Sequence, residues 1–234
     1  MRILWTLAGA GLLAACAPKS DEAQSQAADS PAAAPAPSAS ADPDQSAGGS
    51  GVPAGYVGRT DKAGQNIVDA KYVASGGQWE VTTGPAHIVY AAKDSARGSY
   101  RVAAAFDQLE APQHPEAYGL FIGGQNLDQP SQRYTYFVVR GTGEYLVRVR
   151  DGAETKDVKG WTGGANVPKA DASGKATYRL GAQVGADSVR FMINDKTVTS
   201  VPKSAVPTDG IAGVRVNHNL HVRVTPVTVT AGGA

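Results

Sequence analysis

The chain reads as an all-β protein, an antiparallel two-sheet sandwich behind an export signal and a long spacer. Three observations lead there. From about residue 56 onward apolar residues alternate with polar ones at period two, turn residues break the alternation every eight to twelve positions, and no stretch shows a helical stripe. The segment before it has neither pattern.

Residues 1–15 open with Arg2, run apolar from Ile3 to Leu13, and end in Ala14 and Ala15 before Cys16. A charged start, a short apolar stretch and small residues at its end make an export signal. The run is too short to span a bilayer, which needs roughly 20 residues. Leu13-Ala14-Ala15-Cys16 resembles a bacterial lipobox, which implies cleavage before Cys16 and a lipid on its sulfur. Cys16 is the one cysteine, so no internal disulfide supports the fold. The expected partner is therefore a membrane, reached through lipidated Cys16. Ala17 stands where an inner-membrane retention signal would carry aspartate, so the expected location is the outer membrane if the cell has two.

Residues 16–55 are mostly Ala, Ser, Pro, Asp, Gln and Gly. Such a stretch buries too little apolar surface to offset the entropy of ordering, and is expected to be a disordered linker. Lys19 faces five acids there: Asp21, Glu22, Asp29, Asp42 and Asp44. As a flexible coil it spans roughly 35 Å on average and about 130 Å when stretched.

Residues 56–234 are enough for one domain with a substantial core. Setting aside Arg2, Lys19 and the five linker acids, this part holds 20 basic and 16 acidic residues, with no like-charge run. That balance gives no support to a nucleic-acid surface. Strands are expected at Trp79 to Thr83, His87 to Ala92, Ser99 to Asp107, Ala117 to Gly123, Ala176 to Val184, Ile211 to Val216 and Leu220 to Thr225. Val189, Phe191 and Ile193 alternate with Arg190, Met192 and Asn194, and a turn at Asn194-Asp195-Lys196 leads into Thr197 to Val201.

One hairpin fixes its own register. Arg133 to Arg140 and Glu144 to Arg150 flank Gly141-Thr142-Gly143, a three-residue loop with glycines for positive φ. With Arg140 opposite Glu144, one face carries Thr135, Phe137, Val139, Tyr145, Val147 and Val149. The other pairs Tyr134 with Arg150, Tyr136 with Arg148, and Val138 with Leu146. A one-residue slip would mix the two classes, so the segregation supports the register. Phenols beside guanidiniums suit a polar ligand with apolar patches. They also suit ordinary cross-strand pairing on a solvated face.

Glycosidase chemistry needs two carboxyls about 5 to 10 Å apart. The glucanase string Glu-x-Asp-x-x-Glu is absent, and Glu80, Glu110, Glu116, Glu144 and Glu154 stand apart. Close acidic pairs such as Asp151 with Glu154 have an odd spacing that puts them on opposite faces of a strand. His218 and His221 share no helical face, and no cysteine or acid stands near them at ligand spacing, so no metal site is expected. No phosphate loop or nucleophile elbow occurs, and no cofactor is implied. Trp161 lies in Lys159-Gly160-Trp161-Thr162-Gly163-Gly164, read as a glycine-rich loop. It is a stacking platform for a sugar or a plug on the sandwich end.

Trp79-Glu80-Val81 with Gly84, Gly98-Ser99-Tyr100, Tyr118-Gly119-Leu120-Phe121-Ile122 and Val189-Arg190-Phe191-Met192-Ile193-Asn194 together resemble the concanavalin A-like jelly-roll superfamily. Within it the chain is similar to laminin G-like domains and to the bacterial 3-keto-disaccharide hydrolase, family-16-like glycosidase domain. The resemblance covers residues 77 to 230. It implies two packed sheets with polysaccharide on a concave face formed by Tyr134, Tyr136, Arg148 and Arg150, and Trp161 at the rim. The expected function is non-catalytic carbohydrate binding in the cell envelope. Alternatives are a hydrolase of modified disaccharides using Glu116 or Glu144, and a structural protein that binds another envelope protein.

Overall fold

A computed structural model describes residues 51–232; the leader, Cys16 and most of the linker lie outside the described residues. Fifteen strands follow in order: β1 (Val57–Thr60), β2 (Lys71–Ser75), β3 (Gln78–Thr82), β4 (His87–Ala96), β5 (Tyr100–Gln108), β6 (Ala117–Gln125), β7 (Arg133–Arg140) and β8 (Glu144–Asp151). The rest are β9 (Glu154–Gly163), β10 (Ala176–Val184), β11 (Ser188–Ile193), β12 (Lys196–Pro202), β13 (Gly210–Val216), β14 (His221–Val224) and β15 (Thr228–Ala231). No α-helix occurs among the described residues, and none of their helices is long and apolar enough to cross a membrane. Gly51 bridges Lys71 and Val52 packs on the core, so part of the segment assigned to the linker by composition belongs to the folded unit.

The strands form two antiparallel sheets. One runs β1-β4-β13-β6-β7-β8-β9, the other β12-β11-β10-β5-β14-β3-β2, with β15 added to β5. Their inner faces share a core in which Phe137 meets Phe191 across the sheets at 5.1 Å and Tyr118 meets Tyr178 at 6.0 Å. Buried phenols keep partners: the Tyr145 hydroxyl donates to the Val198 carbonyl (3.0 Å), and that of Tyr100 to Thr208. An unpaired hydroxyl in such a core would cost about 1–3 kcal/mol.

The β7–β8 hairpin takes the register the sequence predicts, from Arg140 opposite Glu144 to Tyr134 opposite Arg150. Gly143 adopts φ +83° and its amide closes the turn on Arg140. The mixed face differs from the expectation in one respect. It is not solvated: Tyr134 is 1% and Tyr136 5% exposed, and with Ile88, Tyr90, Phe121, Val138 and Leu146 they form a second apolar cluster. The seven-stranded sheet is thus packed on both sides. Gly213 permits this closeness, since a Cβ there would lie 2.4 Å from the Val89 carbonyl oxygen and 2.6 Å from the Phe121 ring.

Arg215 reaches this face from β13, whose register sets it beside Ile88 and Gly119. Its guanidinium binds both carboxylate oxygens of Asp61 at 2.9 and 2.5 Å, donates to the Tyr134 hydroxyl (3.3 Å), and lies 4.7 Å from the centre of the Tyr136 ring. Burial would raise the Asp61 pKa, but the charge and hydrogen bonds of Arg215 hold it below the ordinary carboxylate value. Both groups are ionised at neutral pH.

The strands that sequence periodicity did not reveal are β1, β2, β9 and β15. The first three are sheet edges, and β15 pairs with β5 alone. Only one of their residues, Tyr72, is buried. Alternation records a face turned to the core, and these strands have almost none.

His87 is fully buried. Its Nδ1–H donates to the Pro85 carbonyl (2.7 Å), so Nε2 accepts from the Tyr72 hydroxyl (2.6 Å) and the ring is neutral. Burial pushes its pKa down to about 4 from 6.5. The unfolded chain therefore binds a proton between those values that the folded one does not, and stability present above pH 6.5 falls as pH drops toward 4. We predict a loss of about 3 kcal/mol over that window, read as a falling urea midpoint and flattened in His87→Gln. Separately, Asp61→Ala should cost about 3–5 kcal/mol by leaving Arg215 charged and unpaired. Adding Arg215→Met should restore most of the urea midpoint.

Candidate functional site

Strand alternation places Tyr134, Tyr136 and Arg140 of β7 and Glu144, Arg148 and Arg150 of β8 on one outward face of the seven-stranded sheet. Arg148 pairs with Asp157 of β9, and burial is partial at 31% and 48% exposure. Arg150 donates to the carbonyls of Gly152 (2.7 Å) and Asp61 (3.4 Å). The tyrosine rings are beneath, so they serve as a floor and not as open stacking planes.

Trp161 is not in a loop. It belongs to edge strand β9, where a register shift opposite Tyr145 to Val147 lets the strand take glycines. The indole is 40% exposed, and the Arg140 guanidinium sits 4.2 Å from its ring centre. Arg140 in turn pairs with Glu144 at 2.7 Å. The indole is held by a cation on one side while still reaching solvent, the arrangement of a platform. From Glu144 to Arg150 the strip measures about 20 Å along the strand.

At the Arg150 end of the strip lies a cleft of about 490 Å³, walled by Arg59, Asp61, Gln65, Asp128, Gln132 and Arg150. Arg59 spends one N–H on the Leu127 carbonyl (2.8 Å), while the Gln65 Oε1 is buried without a partner among the described residues. Two guanidiniums, two carboxylates and two amides offer both donors and acceptors in a small volume. A ligand dense in hydroxyls matches that set. Of these six only Arg150 carries a signal in the sequence, because the others come from segments without period-two alternation.

The catalytic candidates Glu116 and Glu144 do not meet on this face. Glu116, just before β6, accepts from the Asn217 amide (3.2 Å) and faces His218 Nε2 (3.4 Å). Glu144 accepts from Thr142 and Arg140, which hold its carboxyl below the ordinary value. It is charged at neutral pH and cannot serve as a proton donor there.

Acidic partners for the histidines, invisible in sequence spacing, come from distant segments. His221 lies between Glu80 (2.9 Å) and Glu110 (3.3 Å), whereas His218 faces Glu116. The two histidines thus have separate partners. Among the described residues no group of three or more His, Cys, Asp or Glu is placed to hold a metal ion.

No protein-family model and no curated protein matches the chain. Solved structures do. The carbohydrate-binding module CBM66 from Bacillus subtilis aligns with TM-score 0.54 and 12% identity, over 76% of this chain and 96% of that one. A Bacillus subtilis protein of unknown function with a galectin-like fold gives 0.54 and 13%, over 75% and 89%. A family 16 glycoside hydrolase endo-glucanase from Bacteroides ovatus gives 0.52 and 9%, over 74% and 94%. Together with the two antiparallel sheets, these likenesses show a concanavalin A-like jelly-roll fold.

Proposed function

We propose that the chain is an envelope lipoprotein whose sandwich domain binds carbohydrate without cleaving it. The observation that carries the reading is the cleft beside Arg150, with its mixed donors and acceptors and a Gln65 oxygen that has no partner among the described residues, continued by a strip that ends at Trp161. Hydroxyls need both kinds of partner, and a sugar's C–H face needs a flat apolar surface. Arg148, Arg150 and Trp161 make the contacts, and Tyr134 and Tyr136 support them from below. The solved neighbours that carry names of carbohydrate-binding or glycan-degrading proteins have the same architecture, which adds support at the level of fold only. The absent glucanase string and the failure of Glu116 and Glu144 to meet on one face favour binding over hydrolysis.

Polysaccharide titrations with the chain from residue 17 onward test the site. Trp161→Ala combined with Arg150→Ala should weaken glycan binding by about tenfold or more, because a hydrogen bond to a charged group contributes about 1.5–3 kcal/mol and tenfold is about 1.4. Unchanged affinity would remove this surface from consideration. Tyr136→Ala is a poor probe, since that ring is part of the packing.

The proposed anchor rests on Cys16 and its flanking residues. Cys16→Ser should block incorporation of labelled palmitate and move the chain from the membrane fraction to the soluble one; equal labelling of both forms would exclude lipidation at this sulfur.

A further inference from the structure

We propose that the outer face of the eight-stranded sheet holds a second groove, built for a carboxylate-bearing polysaccharide and separate from the cleft on the other sheet. The cavity there measures about 720 Å³. Its floor is β5, where Ala103 and Ala105 point outward between Val102, Ala104 and Phe106, which turn to the core. Small floor residues leave a trough where long side chains would fill it.

One wall is a row of hydroxyls. β14 pairs with β5 at Phe106 to Gln108 and β15 pairs with it at Tyr100 to Ala103, so the chain between them crosses at Thr225-Pro226-Val227. Thr225 fixes the crossing by exchanging hydrogen bonds with Ala105, its backbone N–H to the carbonyl and its side-chain oxygen from the amide. Thr228 opposite Ala103 and Thr230 opposite Arg101 continue the row on the same face.

The other wall is cationic. Arg179 of β10 stands opposite Ala105, is exposed, and has no side-chain ion pair or hydrogen bond among the described residues. Arg101 lies across β10, its Nη2 3.8 Å from where a Cβ on Gly181 would be, and pairs with Asp195 at 2.7 Å. The Arg101 guanidinium thus lies beside Gly181, two residues along β10 from Arg179, about 7 Å. A linear chain with hydroxyls along its length and carboxylates at intervals complements both walls, because guanidinium pairs with carboxylate in bidentate fashion and threonine exchanges hydrogen bonds with hydroxyls. Arg190 sits on the same face one strand farther out, opposite Gln183 and outside the cavity lining.

Titration of the full chain with polygalacturonate, dextran and polyphosphate tests the assignment. Polygalacturonate should bind, and Arg179→Gln should weaken it by about tenfold, the loss of one charge-assisted contact. Arg190→Gln, an equal charge change on the same face, should alter affinity by less than about twofold if the contact is local. Thr228→Val with Thr230→Val should also weaken polygalacturonate binding. The Trp161→Ala, Arg150→Ala pair should leave it intact, which separates failure of this groove from failure of the other surface. Absent polygalacturonate binding, equal loss in Arg179→Gln and Arg190→Gln, or polyphosphate or dextran binding as tightly as the uronate would each overturn the proposal.

Discussion

The register of the β7–β8 hairpin is the constraint on which the seven-stranded sheet depends. Because side chains alternate strictly, pairing Arg140 with Glu144 sends Phe137, Val139, Tyr145 and Val147 inward and Tyr134, Tyr136, Val138 and Leu146 outward together. Slippage of β8 by one residue would turn Arg148 and Arg150 toward the core in place of Val147 and Val149, at a cost of several kcal/mol. The left-handed Gly143 makes the turn that holds this pairing.

Burying both faces of that sheet creates a problem that Arg215 and Asp61 solve. A charged β13 residue on an apolar face needs a counter-ion, and Asp61, just beyond β1, supplies one at two hydrogen bonds. The same guanidinium reaches Tyr134 and lies over Tyr136, so the pair ties β1, β13 and β7 together at the floor of the cleft. A buried ion pair is weak evidence for stability when compared with an apolar replacement, but it fixes position well. Here it fixes the segment that walls the cleft beside Arg150.

The two sheets thereby present surfaces of different character. The outward face of the seven-stranded sheet is an aromatic floor with guanidiniums at its margin, and the polar groups gather at the cleft and at Trp161. The outward face of the eight-stranded sheet has small side chains between threonines and arginines, with nothing aromatic in the groove. A sandwich can carry both because alternation lets each strand serve the core and one exterior independently.

Much of the architecture was legible in the chain: the all-β class, the hairpin register and the central strands follow from period-two alternation, since each has one side in the core. Edge strands β1, β2 and β9 leave no such trace, and Trp161 resembles a loop residue in the sequence because glycines and exposed polar residues surround it. Sequence also grouped Tyr134, Tyr136, Arg148 and Arg150 on one face, because local pairing alone decides that. Whether that face met water was a different matter, decided by the tertiary structure. The burial of the tyrosines, the Arg215–Asp61 pair 154 residues apart, and the cleft made by Arg59, Gln65, Asp128 and Gln132 depend on contacts between distant segments, which no local pattern encodes.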